Sequence, residues 1–320
     1  MDRRRTVAEG IANRFNIPYA TDSVNDLLEQ NIDAVYIASP VYLHHEHALA
    51  ASSRTIHILV EKPLALNSDE GTEIVESCNS SGTFLQVGYM MRFHPLHRCA
   101  REILAAGDIG KPVLCRAQLS CWYPPIGDAW RQQRNLGGGG SLIDLGTHCV
   151  DLLEWMLGSQ VVEVFASTGS LMHNYEVEDS ATMLLKFRNG AHGLVDAFFC
   201  IPDSSASNVL EIYGTQGSIR GEGTIGQLPG GQMTICHTLT EGGYDALQDK
   251  LPDKTRRREL VAAPVDMYLA ELEYFSQCVL EGISPATNTG QDGVHLLHII
   301  EAAYKSSSTR QAQRLGKSTV

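Results

Sequence analysis

Between Asp33 and Val87 three short apolar, β-branched runs alternate with helical segments, and this alternation limits what the chain can fold into more than any other feature. The runs are Asp33–Ala38, ending at Ser39-Pro40, then His57–Val60 and Phe84–Val87. Helical patterns fall at Val7–Phe15, stopped by Asn16-Ile17-Pro18, at Val24–Gln30, at His44–Ser53, and from Ser68 onward with Asp69 and Glu70 in the first turn. Strand–helix–strand units with short connections predict parallel pairing and a doubly wound α/β sheet.

After Val87 the pattern changes. Pro95–Ala106 reads as a helix, Pro112–Tyr123 as a long strand, and Ser141–Leu157 as a second helix. Strands follow at Val161–Ser167, Asp179–Phe187, Gly193–Cys200 and Val209–Tyr213. Asn189-Gly190 is a hairpin signal, and Gly214–Ser218 reads as another turn. Gly221–Gly243, rich in glycine, reads as loop or edge structure, before helices at Asp266–Leu280 and Gly293–Lys305. Strands joined by tight turns predict a second, α+β domain built on a large, mainly antiparallel open sheet. The expected division is residues 1–89 and residues 90–320, with terminal helices at about 285–305 packing back on the first domain.

Composition narrows the function. An apolar fraction of 43%, a charged fraction of 19% and a formal charge of −12 suit a globular protein that does not bind nucleic acid. The basic runs Arg3–Arg5 and Arg256–Arg258 are short, and the second reads as a solvated loop. Eight cysteines with no CxxC pair read as packed thiols in a cytoplasmic protein, Cys149 among them despite its neighbour His148. No apolar run approaches the ~18 residues of a membrane span.

Two features carry chemistry. Glu61-Lys62-Pro63 places a lysine at the carboxyl end of a strand, where ligands of open α/β sheets bind. Gly137-Gly-Gly-Gly-Ser-Leu-Ile-Asp144-Leu-Gly-Thr-His148 places Asp144 and His148 four residues apart on one helix face, behind glycines that permit close backbone approach. A carboxylate one turn from an imidazole sets its tautomer and basicity for general acid–base work. The same spacing also serves a local pair that only stabilises the helix, and Asp151 reads as a supporting or surface group on that face. A metal reading lacks further ligands, and the His44, His45, His47 run offers only two imidazoles to one face. Trp122, Tyr123, Trp130 and Arg131 suit stacking on a sugar ring and bonding to its hydroxyls, or equally a core lid.

Five segments in order resemble the glucose–fructose oxidoreductase / inositol dehydrogenase (Gfo/Idh/MocA) family of NAD(P)-dependent oxidoreductases. They are Ala34-Val-Tyr-Ile-Ala-Ser-Pro40 with His44 and Glu46–Ala51, then Val60-Glu-Lys-Pro-Leu64, Val87–Phe93, Gly138–Leu152 and Glu211–Ser218. The resemblance implies hydride transfer between nicotinamide and a carbon of a sugar or cyclic polyol. It implies His148 as proton acceptor or donor, Asp144 as its orienting group, and Lys62 as the charge beside a developing alkoxide. It places Asp2, Ser39, Pro40, His44, Glu61 and Lys62 on the cofactor. Arg92, Trp122, Tyr123, Trp130, Arg131, Asp144 and His148 fall on the carbohydrate or polyol substrate. It further implies a homo-oligomer, dimer or tetramer, through the C-terminal sheet, with no metal and no membrane or nucleic-acid partner.

One departure stands at the N-terminus. The family's first strand and GxGxxG turn have no counterpart, so the Rossmann sheet is expected to be N-terminally truncated by about 30 residues, with a start codon placed too late as the favoured cause. Asp2 at the acidic ribose position favours NAD, and Arg3–Arg5 favour NADP, so both cofactors stay open. Two alternatives remain: a non-catalytic sugar-binding scaffold without the phosphate loop, and a lyase or glycosidase of the same fold with tightly held NAD.

Overall fold

The computed structural model describes residues 1–239 and 255–316. The chain folds into two units, Met1–Gly88 with Leu272–Val294, and Tyr89–Glu271 with His295–Val320.

The first unit is built on a three-stranded parallel sheet, β1 (Ala34–Ile37), β2 (His57–Glu61) and β3 (Leu85–Gly88), in that spatial order. Its helices are α1 (Arg5–Phe15), α2 (Val24–Leu28), α3 (His44–Ser52) and α4 (Ser68–Ser81). Central β2 buries Ile58, Leu59 and Val60, as a strand covered on both faces must. At the start of α4 the Asn67 side chain accepts from the Glu70 N–H and its amide donates to the Glu70 carboxylate, so the helix begins at a closed polar clasp. Gly82, with φ +70°, ends it. The returning segment 272–294 joins this sheet directly. The Val87 N–H donates to Asn288 O at 2.8 Å, and Gly290 and Gly293 pack so closely on Leu85 and Val87 that side chains there would collide.

The second unit carries α5 (Pro95–Ala105), β4 (Pro112–Ser120), α6 (Arg134–Gly137) and α7 (Thr147–Leu157). Eight more strands follow: β5 (Val161–Gly169), β6 (Ser180–Phe187), β7 (His192–Phe198), β8 (Val209–Gly214), β9 (Gly217–Glu222), β10 (Gln232–Thr238), β11 (Thr255–Leu260) and β12 (Gln313–Arg314). Two long helices, α8 (Met267–Glu281) and α9 (Gly290–Thr309), precede the last of them in sequence, with their residues 272–281 and 290–294 belonging to the first unit. The nine-stranded sheet runs β11-β10-β9-β8-β4-β7-β6-β5-β12, antiparallel except for the β4/β7 pair. Asn189-Gly190 turns β6 into β7, with Gly190 at φ +91°. Along β4, β6, β7 and β8 buried residues alternate with more exposed ones, and α7 packs against β4.

Two expectations are corrected here. Gly221 lies in β9 and Gln232–Thr238 is β10, so much of Gly221–Gly243 is regular sheet, while residues 240–243 lie outside the described residues. The alternation of Met233 and Ile235, both fully buried, outweighs the glycines around it. Arg256–Arg258 are exposed but form part of β11, held by the ladder to β10 rather than in a loop.

His97 on α5 is fully buried, its Nδ1 2.9 Å from Met91 O. Burial, with the His94 ring tilted against it at 4.5 Å, pushes its pKa down to about 3. An unfolded chain binds this proton below about pH 6.5 and the folded one does not, so the associated stability is whole above that pH and falls toward pH 3. The slope is about 1 kcal/mol per pH unit. His97→Gln is expected to flatten the loss of stability between pH 7 and 4 in urea titrations; an unchanged slope would rule the residue out as its source.

Candidate active site

In the first unit the carboxyl ends of β1 and β2 are joined by one imidazole. His44, 1% exposed, sets Nε2 2.8 Å from Ser39 O and Nδ1 3.0 Å from Pro63 O. Burial lowers its pKa, opposed by the carbonyls of Ser39, Pro63 and Leu64. His47 approaches the Ser39 hydroxyl at 3.1 Å, and His45 turns away to Glu73 at 2.8 Å. The histidine run is thereby accounted for by strand-end geometry. Among the described residues no cluster of three or more His, Cys, Asp or Glu could hold a metal ion.

Glu61 ends β2. Its carboxylate accepts from the Tyr36 hydroxyl and, at 3.2 Å, from the Lys62 N–H. Gly88 lies beside it, where a Cβ would approach Glu61 at 3.3 Å. Lys62 is half-buried and precedes a cis peptide bond to Pro63, which is itself buried. Asp2 accepts from the Arg4 N–H at 2.9 Å, which, with Arg4's charge, holds its carboxyl below the usual range. The donor set suits a dinucleotide: carboxylates at Asp2 and Glu61 that could accept from ribose hydroxyls, a hydroxyl at Ser39 and an ammonium at Lys62.

In the second unit Asp144 lies in a five-residue π-helical segment, Leu142–Gly146, that runs into α7, and His148 is the second residue of α7. The uniform α-helix expected from Ser141 is therefore widened at Asp144. Such a widening leaves a carbonyl without its usual i+4 N–H, and the Thr147 hydroxyl donates to Ile143 O at 2.8 Å. Asp144 faces the Arg131 Nε at 3.5 Å, and the Arg131 guanidinium lies 4.1 Å over the Trp130 ring. Tyr123 lies within electrostatic reach of both charges; burial raises its pKa, with Arg131 lowering and Asp144 raising it further. His148 is 7% exposed, with the Tyr89 ring edge-on at 6.2 Å.

The structure thus brings Tyr123, Trp130, Arg131 and Asp144 together. Trp122, 38% exposed, belongs to a second aromatic layer, edge-on to His173 at 5.1 Å. His173 stacks on Tyr175, whose hydroxyl donates to Tyr123 O at 3.3 Å. Arg92 is buried against Asp151, its Nε 3.1 Å from both carboxylate oxygens and its Nη2 2.5 Å from Oδ1. Asp151, 1% exposed, is this buried counter-ion rather than a surface group.

Sequence reasoning missed Tyr36, His173, Tyr175, Glu178 and Tyr304. The one available signal was Glu176-Val-Glu-Asp179, three carboxylates crowded before a strand. The glycine run is also reassigned at two positions. A Cβ on Gly140 would strike the Glu178 carbonyl, and one on Gly139 would strike the Tyr304 phenol, so these glycines admit protein rather than ligand.

Comparison with known proteins agrees with the fold. The oxidoreductase-family, NAD-binding Rossmann-fold model matches residues 1–89, and the GFO/IDH/MocA C-terminal domain model matches residues 97–220. A 1,5-anhydro-D-fructose reductase from Ensifer adhaerens is 30% identical over 307 residues, which is 95% of this chain and 86% of the relative. A scyllo-inositol 2-dehydrogenase (NAD(+)) from Bacillus subtilis is 30% identical over 284 residues, 87% of this chain and 77% of the relative. A levoglucosan dehydrogenase in complex with NADH and levoglucosan shares the fold, with TM-score 0.86 and 22% identity over 99% of this chain and 89% of that one. The chain belongs to the GFO/IDH/MocA family of NAD(P)-dependent oxidoreductases.

Gly140→Ala is expected to destabilise the protein by about 1–3 kcal/mol, because the methyl meets backbone that cannot move aside. Urea unfolding measures it, and a loss below about 0.5 kcal/mol would show that the helix start tolerates displacement.

Proposed function

We propose that the protein interconverts a carbinol and a carbonyl on a sugar or cyclic polyol. The observation that carries this is Asp144 beside Arg131 on its Trp130 platform, one turn ahead of the buried His148. When bound, NAD or NADP supplies the hydride acceptor, or its reduced form the donor. His148 takes the hydroxyl proton in oxidation and returns it in reduction, and Asp144 orients both imidazole and hydroxyl. Lys62 places positive charge where alkoxide character develops. Aromatic faces at Trp122, Tyr123 and Trp130 cover the C–H faces of a polyhydroxylated ring while Arg131 bonds its hydroxyls. Asp2, Ser39, Pro40, His44 and Glu61 serve the nucleotide. Relatives named for 1,5-anhydro-D-fructose and scyllo-inositol support a ring rich in hydroxyls.

The protein works in the cytoplasm as a homodimer or homotetramer. Eight cysteines without a disulfide support the first statement. The second is supported by the open sheet face, where Phe165 and Leu184 are exposed. Among the described residues no helix is long and apolar enough to cross a membrane.

Titration with NADH and NADPH by nicotinamide fluorescence is expected to show saturable binding. Turnover is then screened with 1,5-anhydro-D-fructose, scyllo-inositol and D-xylose. His148→Ala should lower kcat by roughly 100-fold or more with the circular dichroism unchanged. Lys62→Met should lower it by roughly 100- to 1,000-fold. Wild-type turnover in either variant would remove that residue from the chemistry.

A further inference from the structure

We propose that Glu178 and Tyr304 are positioning residues for Asp144 and His148, clamping the start of the helix that carries them. A helix start exposes N–H groups that need acceptors, and the residue placed to cap this one does not do so. Ser141 precedes the π-helical segment, yet its side chain makes no cap bond and its Oγ is buried without a partner. The acceptor comes from the segment before β6 instead. Glu178 Oε1 accepts from the N–H of Gly140 at 2.9 Å and of Leu142 at 3.1 Å, and the Glu178 carbonyl accepts from the Ser141 N–H at 3.0 Å. Three consecutive N–H groups are thereby held by one residue.

Tyr304 on α9 completes the clamp. Its hydroxyl donates to the same Glu178 Oε1 at 2.8 Å. Burial and the adjacent carboxylate hold its pKa well above the usual phenol value, so it stays a donor across the working pH range. The fit is close: Gly139 faces the phenol and Gly140 the Glu178 carbonyl, with no room for a Cβ at either position. The clamp stands on a braced base. Asp179 accepts from the N–H groups of Leu171, Met172 and His173 at 2.7–2.8 Å, and Glu176 accepts from the Arg134 N–H at 3.0 Å. Neither Glu178 nor Tyr304 touches reacting atoms. They set where the helix begins, and through it the placement of Asp144 two residues beyond Leu142 and of His148 one turn later.

This inference rests on His148 being the acid–base group, and the test separates the two. Tyr304→Phe removes one bond without changing any charge, so a shift in His148 reports geometry rather than field. With ring-¹³C histidine, the His148 signal is assigned by its loss in His148→Gln and followed against pH. The expected result is a displacement of its titration midpoint by about half a unit or more. His295, which joins α9 to Glu154 at 2.9 Å, should titrate as before. Glu178→Gln is the second variant, shape-preserving, and should lower kcat at least tenfold while the nucleotide Kd stays within twofold. An unmoved His148 in Tyr304→Phe overturns the proposal, as does parallel movement of His295, which marks general loosening of α9. Should Tyr304→Phe not fold, unchanged kcat in Glu178→Gln overturns it. Full turnover in His148→Ala would sink the functional reading instead, whatever the clamp variants do.

Discussion

A charge pair with almost no water around it, Arg92 with Asp151, is the constraint on which the order of the second unit depends. Asp151 lies on α7 three residues beyond His148, and Arg92 lies in the short turn Met90–Phe93 that follows Tyr89. Removing one member would strand a buried charge, typically at about 3–5 kcal/mol. An apolar replacement of both could be as stable, so the pair's contribution is one of specification. It ties that turn to α7, where the Tyr89 ring lies edge-on to His148. His97, bonded to Met91 O, holds the same turn from the other side.

Each unit solves one chemical problem with buried polar groups in fixed partnerships. In the first, the His44 ring lies between Ser39 O and Pro63 O, in the turns that follow two parallel strands and next to Glu61 and Lys62. In the second, a half-buried carboxylate precedes a buried imidazole by four residues. Asp144 keeps partial exposure and an arginine neighbour, and the Arg131 guanidinium lies over the Trp130 ring. Preorganised charge of this kind needs little rearrangement as the reaction proceeds.

What the sequence disclosed followed from local rules. The parallel β1–β3 set and the Asn189-Gly190 hairpin are each written in fewer than ten adjacent residues or in a simple period. The five ordered segments led to the family that the domain models confirm. What stayed hidden depends on partners far apart in the chain. Glu178 and Tyr304 are separated by 126 residues, and Arg92 and Asp151 by 59. No periodicity announces such pairs. An arginine in a motif does not say which carboxylate of the chain it meets, and Arg92 meets Asp151. The π-helical widening at Leu142–Gly146 was equally silent.

Following the hydride itself tests the proposed chemistry at its centre. The protein would be incubated with NADH or NADPH deuterated at C4, in separate 4R and 4S forms, and with 1,5-anhydro-D-fructose or the best substrate found. Mass spectrometry and NMR would then locate deuterium in the product. Direct transfer predicts one deuterium on the new carbinol carbon, from one of the two C4 faces only. A product formed without deuterium from either face, or with solvent hydrogen at that carbon, would contradict it.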